Sequence, residues 1–157
     1  MISLYPFAWV MAMAHRLERS PHWLHALLCR WGVAAVFWRS GQTKVHGWTI
    51  NETTFDLFRD EYRVPLLPPE VAAVAATVAE HLFPVLLVVG LASRLSALAL
   101  LGMTLVIQVF VYPGSWPDHL LWASALVYVV ARGPGTLALD HPLRRALDGL
   151  LPARRQG

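Results

Sequence analysis

Long apolar runs alternate with short breaks rich in Pro and Gly, and the spacing of those breaks sets the number of helices. The run at residues 71–92, VAAVAATVAEHLFPVLLVVGLA, is apolar except for Thr77, Glu80 and His81. A helix of that length, rising ~1.5 Å per residue, crosses a hydrocarbon core ~30 Å thick. Residues 23–41 form another run, interrupted by His25, Arg30 and Arg39. Residues 95–112 form a third, whose polar side chains are Ser96, Thr104 and Gln108. Residues 117–131 form a shorter fourth, which tilts little or begins in the headgroup layer. Pro65, Pro68 and Pro69 precede the 71–92 run, YPGSWP separates the last two, and GPG closes the last. The pattern predicts an all-α, integral membrane four-helix bundle with amphipathic N- and C-terminal segments.

The flanks follow a different pattern. Residues 1–22 hold an apolar stretch from Ile2 to Ala14 that is too short to span, and no positive region precedes it as in a signal peptide. They are expected to lie on the membrane as an interfacial segment. Residues 133–157 form a basic tail, where Leu143, Leu147 and Leu150 oppose Arg144, Arg145 and Asp148 as in an amphipathic helix. In the loop at 42–69, Phe55, Leu57, Phe58 and Tyr62 suit a short helix lying against the membrane.

Composition agrees with this division. The 157 residues are 56% hydrophobic and 15% charged, with a mean hydropathy of +0.47, and they make one domain with spans near 23–41, 71–92, 95–112 and 117–131. The net charge of +3 reflects sidedness rather than nucleic-acid binding, because no basic stripe interleaves with aromatics. Arg16, Arg19, Arg94, Arg132, Arg144, Arg145, Arg154 and Arg155 fall on one side of the spans. Lys44, Arg59 and Arg63 fall on the other, set among Glu52, Asp56, Asp60, Glu61 and Glu70. The positive-inside rule then places both termini in the cytoplasm. A single cysteine, Cys29, excludes an intrachain disulfide and a CxxC redox pair.

Several stretches together resemble the DoxX family of small four-helix membrane proteins. They are FWRSGQTK, FDLFRDEYRVPLLPPEVAA, AEHLFPVLLVVGLASRLSALALL and WPDHLLWASALVYVVARGPGTLALDH, and the resemblance runs from about Arg30 to Leu143. It implies a bacterial inner-membrane protein. It also implies an association with quinone-linked sulfur oxidation through the related DoxD subunit, with redox-stress complexes, or with metal-stress operons. The family has no single reaction and brings no catalytic motif to particular residues here.

The candidate site therefore comes from the residues. Arg30 lies eleven residues from Gly41, or roughly 16 Å, and Glu80 lies nine from Val71, or roughly 13 Å. If the outer ends of the two helices are level, Arg30 and Glu80 meet as an ion pair that offsets the cost of burying either charge. Thr77, Glu80 and His81 share one helix face, and Thr104 on the next helix lies at similar depth. Arg30, Glu80, His81, Thr77 and Thr104 form the expected cofactor-binding site, with a quinone as its candidate ligand. Arg30 and His81 would donate to the quinone carbonyls and Glu80 would relay protons. The same pair would equally serve only to fix helix packing.

Two other roles stay open: a non-enzymatic accessory of a copper-stress operon, and small-solute transport. Copper would draw on His81, Met103 and His119, whose imidazole and thioether groups suit Cu(I). Expected partners are the lipid bilayer and other membrane redox or operon-encoded subunits, with a homo-oligomer also allowed.

Overall fold

The computed structural model describes residues 9–11, 13, 20–65 and 67–150. The expected interfacial segment at 1–22 and the end of the basic tail lie mostly outside the described residues. Helices occupy each of the four apolar runs. α1 is His22–Thr43, α2 is Glu52–Leu57, α3 is Pro69–Val89, α4 is Ser93–Val106, α5 is Trp116–Arg132 and α6 is Asp140–Leu150. One departure from an all-α chain is a two-stranded antiparallel hairpin after α1, with β1 at Val45–His46 and β2 at Thr49–Ile50.

Local chemistry fixes the ends. Pro69 starts α3, where its missing N–H is no loss. Gly90 ends α3 in the left-handed region at φ 78°, and its N–H and that of Leu91 both return to the Leu86 carbonyl, at 2.8 and 2.9 Å. Gly90 is also required by space, since a Cβ there would overlap the Arg30 guanidinium and Ala138. α5 has Asp118 in its first turn and Arg132 in its last, each matched to the helix dipole. α4 continues as a widened turn over Ile107–Val111, where the Tyr112 N–H reaches the Ile107 carbonyl at 2.8 Å.

α1 packs on α3 and α5, and α4 packs on the same two helices. Their core is Val33, Ala34 and Phe37 of α1, Leu87 of α3, Ala97 and Leu100 of α4, and Leu126 and Val129 of α5. Polar side chains are buried beside it: Arg30, Lys44, Thr77, Glu80, Ser93, Ser96, Thr104 and His119. Large apolar side chains meanwhile face outward, among them Val74, Val78, Leu82 and Val85 of α3 and Leu98, Leu105 and Val109 of α4.

Two segments, Pro69–Val89 and Ser93–Val111, are long and apolar enough to cross a membrane, with mean hydropathies of 2.0 and 1.9. Only 33% and 22% of their most apolar windows are buried within the chain. A water-soluble core helix would bury that surface, whereas a lipid-facing helix has no reason to.

α1 and α3 are offset along their axes. Ser40 meets Glu80, Gln42 meets His81, Trp31 meets the Val88 carbonyl and Arg30 meets the Leu87 carbonyl. The first turns of α3 therefore extend past the end of α1. α2 and its continuation through Tyr62 cover this overhang, burying Phe58 against Ala72 and Ala73. The loop helix expected to lie on the membrane thus has its aromatic face on α3.

Candidate functional site

Beyond the end of α1 and beneath α2 lies a cavity of about 380 Å³. Val36, Phe37 and Ser40 of α1 form its floor, and Ala72, Ala76, Ala79 and Glu80 of α3 form one wall. Met103, Val106, Ile107 and Val111 supply the opposite wall, with His119 and Trp122 of α5 beside them. Phe58, Tyr62 and Val64 cover it. The volume falls within the range of about 300–1,000 Å³ typical of small-molecule sites, and the lining is mostly apolar with a few convergent polar groups.

Those polar groups centre on Lys44 and Glu80. Lys44 caps α1, and its ammonium turns back into the protein instead of snorkelling outward. Its Nζ lies 2.8 Å from Glu80 Oε2 and donates to Oε1 at 3.1 Å and to Ser40 Oγ at 3.1 Å. Ser40 Oγ in turn donates to Glu80 Oε1 at 3.1 Å. Glu80 Oε2 is in charge contact with Lys44, yet no donor is aligned on it. Both side chains are almost wholly buried, at 7% and 4% exposure. Gly41 permits this approach, because a Cβ there would come within 2.8 Å of the His81 ring and 3.2 Å of the Glu80 stem.

Two further groups reach the cavity. His119 Nδ1 donates to Gln108 Oε1 at 2.7 Å, while Gln108 Nε2 donates to the Pro113 carbonyl at 2.8 Å. That bond fixes the tautomer and leaves His119 Nε2 as an acceptor. The Tyr62 and Tyr112 hydroxyls lie 3.3 Å apart, and Tyr112 donates to Glu61 at 3.0 Å. Burial, reinforced by the hydrogen bond to Tyr112, pushes the Tyr62 phenol well above its ordinary range, so it stays neutral and donates to the Tyr112 oxygen.

The expected Arg30–Glu80 pair does not form. Arg30 is fully buried, and its two terminal nitrogens donate to the Leu87 and Leu137 carbonyls at 3.0 Å each. It caps the far end of α3, where unpaired carbonyls and the negative end of the helix dipole attract a cation. The error lies in taking the outer ends of α1 and α3 as level: the overhang of α3 brings Lys44, not Arg30, to Glu80.

The other expected site residues separate as well. Thr77 Oγ1 donates to the Ala73 carbonyl and Thr104 Oγ1 to the Leu100 carbonyl, both at 2.8 Å, so each hydroxyl is bonded to its own helix. His81 faces away from the cavity. Its Nδ1 donates to the Thr77 carbonyl at 2.7 Å, Gln42 donates to its Nε2 at 3.0 Å, and Trp38 packs edge-on 5.2 Å away. Met103 and His119 share the cavity wall, but His81 is not with them. The copper set is therefore not assembled, and among the described residues no three His, Cys, Asp or Glu side chains cluster. Of the five expected site residues, only Glu80 lines the cavity. Lys44, Ser40, Tyr62, Tyr112 and His119 are its additional polar groups.

A DoxX family profile matches residues 25–113, more than half of the chain. The chain belongs to the DoxX family. DoxX proteins are membrane proteins, in keeping with the two long apolar helices and their outward-facing surface. The match takes in α1, the loop that covers the cavity, α3, and α4 with its widened last turn. No curated protein and no solved structure matches the chain.

Proposed function

We propose that this DoxX protein is a four-span bacterial inner-membrane subunit of a quinone-linked redox complex, holding a quinone headgroup in the cavity beside Lys44 and Glu80. One observation supports this reading above the rest: a buried Lys–Glu pair on the wall of an otherwise apolar chamber, with one carboxylate oxygen lacking an aligned donor. Buried ions are costly unless paired and hydrogen-bonded, and an apolar pair of similar size would stabilise the helices as well or better. Function is the simplest reason to keep such a pair.

The residues fit a quinone. Phe37, Val36 and Ile107 supply apolar contacts, the Lys44 ammonium supplies a charge-assisted donor for a carbonyl, and Glu80 and His119 can hold or pass a proton. A bound quinone would contribute two-electron, two-proton redox chemistry, with its electrons exchanged through a partner subunit. The chain's own part is to exclude water with the Phe58–Tyr62 cover and to set the orientation of the ring.

Titration of the purified protein in detergent with a short-chain ubiquinone or menaquinone analogue tests this. Saturable binding is expected, weakened about tenfold or more in Lys44→Met, since a charge-assisted hydrogen bond contributes roughly 1.5–3 kcal/mol. A Lys44→Met/Glu80→Met double variant removes both charges together and keeps the packing volume, so its loss of binding is not a folding defect. His81→Ala should bind as the unaltered protein does. No saturable binding, or affinity untouched by the double variant, would dispose of the site.

A further inference from the structure

At the opposite end of α4 from the cavity, a second and open pocket of about 740 Å³ lies between the α3–α4 turn, the end of α5 and α6. Arg94, Arg132 and Arg144 line it, accompanied by His22 and His141. Two acids stand against them, Asp140 and Asp148. Asp140 is already engaged, because its two oxygens accept the Ala92 and Ser93 N–H groups at 2.7 and 2.8 Å. Asp148 reaches Arg144 only at 4.0 Å. The arginines are thus in excess, and the Arg94 guanidinium lies next to Gly133.

A second observation points to a ligand. Ser93 is fully buried on the wall of this pocket, and its Oγ has no hydrogen-bond partner. Orphaned buried hydroxyls are uncommon, and one beside surplus arginines suits an anionic oxygen. The remaining rim is apolar: Leu95, Leu143 and Leu147 border the pocket and are 66%, 49% and 52% exposed. α6 is fixed there by Asp140, whose N–H donates to the Gly90 carbonyl at 2.8 Å while its carboxylate holds the start of α4.

We infer that this pocket binds the phosphate headgroup of an anionic phospholipid, with an acyl chain against the exposed leucines. A bare anion would account for the arginines and Ser93, but it has no use for the leucine rim. An amphipathic helix bordering a basic pocket is the arrangement that anionic lipids favour at a membrane surface. The site is independent of the quinone reading, and either can fail alone.

Delipidated full-length protein is offered phosphatidylglycerol and phosphatidylcholine with identical acyl chains, and bound lipid is counted by native mass spectrometry. Phosphatidylglycerol should be retained preferentially. Arg144→Gln should cut that preference roughly fivefold, the contribution expected of one arginine near an anionic lipid surface. Arg145→Gln removes the same charge one position along α6, outside the pocket lining, and should leave the preference intact. Ser93→Ala, which packs in the same space, should lower retention without lowering thermal stability. Equal retention of the two lipids, or equal effects of Arg144→Gln and Arg145→Gln, would overturn the inference. Inorganic phosphate stabilising the protein as strongly as the lipid does would assign the site to a free anion instead.

Discussion

Arg30 and Lys44 show that a buried cation can hold structure together or stand in a candidate site, and that only its partners tell which. The Arg30 guanidinium meets two backbone carbonyls, Leu87 and Leu137, so it ties α1 to the end of α3 and to the segment before α6. Hydrogen bonds from a charged donor contribute about 1.5–3 kcal/mol each, and losing both leaves two carbonyls without that donor. Arg30→Gln should therefore lower the thermal unfolding temperature in detergent while leaving quinone affinity in the cavity unchanged. A variant that lost quinone binding at full stability would return Arg30 to the site. Glu80, which lines the cavity, was legible as a candidate because an acid within an apolar run is costly there. Lys44 was not, since it lies three residues beyond the expected end of its run and only its side chain turns inward.

At the scale of elements, α2 decides whether the cavity is closed. It is six residues long and continues through the wide turn to Tyr62, too short to be stable without packing. Its hold on α3 is Phe58, 5% exposed, set against Ala72 and Ala73. Removing such a ring typically costs about 3–5 kcal/mol where it is fully packed, and here the loss should fall on the cover alone. Phe58→Ala is expected to speed amide exchange across residues 52–65 and weaken quinone binding, with exchange in α4 and α5 unaltered. Uniformly faster exchange would mean that the cover and the long helices unfold as one unit. The aromatic spacing of this segment was readable, but its location was not. Phe55, Phe58 and Tyr62 would suit lipid as well as protein, and only the overhang of α3 gives them a protein surface. The β1–β2 hairpin is not legible in the sequence for a related reason, because two-residue strands carry no periodicity.

Across the whole molecule, charge and burial divide the chain into two ends. Arg94, Arg132, Arg144 and Arg145 gather at the end holding the α3–α4 turn and α6. At the other end, Arg59 pairs with Asp56 and Glu70 at 3.2 and 3.1 Å, and Lys44 is buried on Glu80. By the positive-inside rule, the arginine-rich end is expected to face the cytoplasm and the end with the β1–β2 hairpin to face outward. The sole cysteine permits a direct measurement in intact cells. In a Cys29→Ser background, Trp48→Cys at the fully exposed hairpin tip should react with a membrane-impermeant maleimide added outside. Thr136→Cys, exposed between α5 and α6, should react only after the membrane is opened. The reverse pattern would turn the cavity beside Lys44 and Glu80 toward the cytoplasm and set the arginine pocket against the outer leaflet. The charge asymmetry would then owe nothing to insertion, and a role for those arginines in lipid binding would be its remaining explanation.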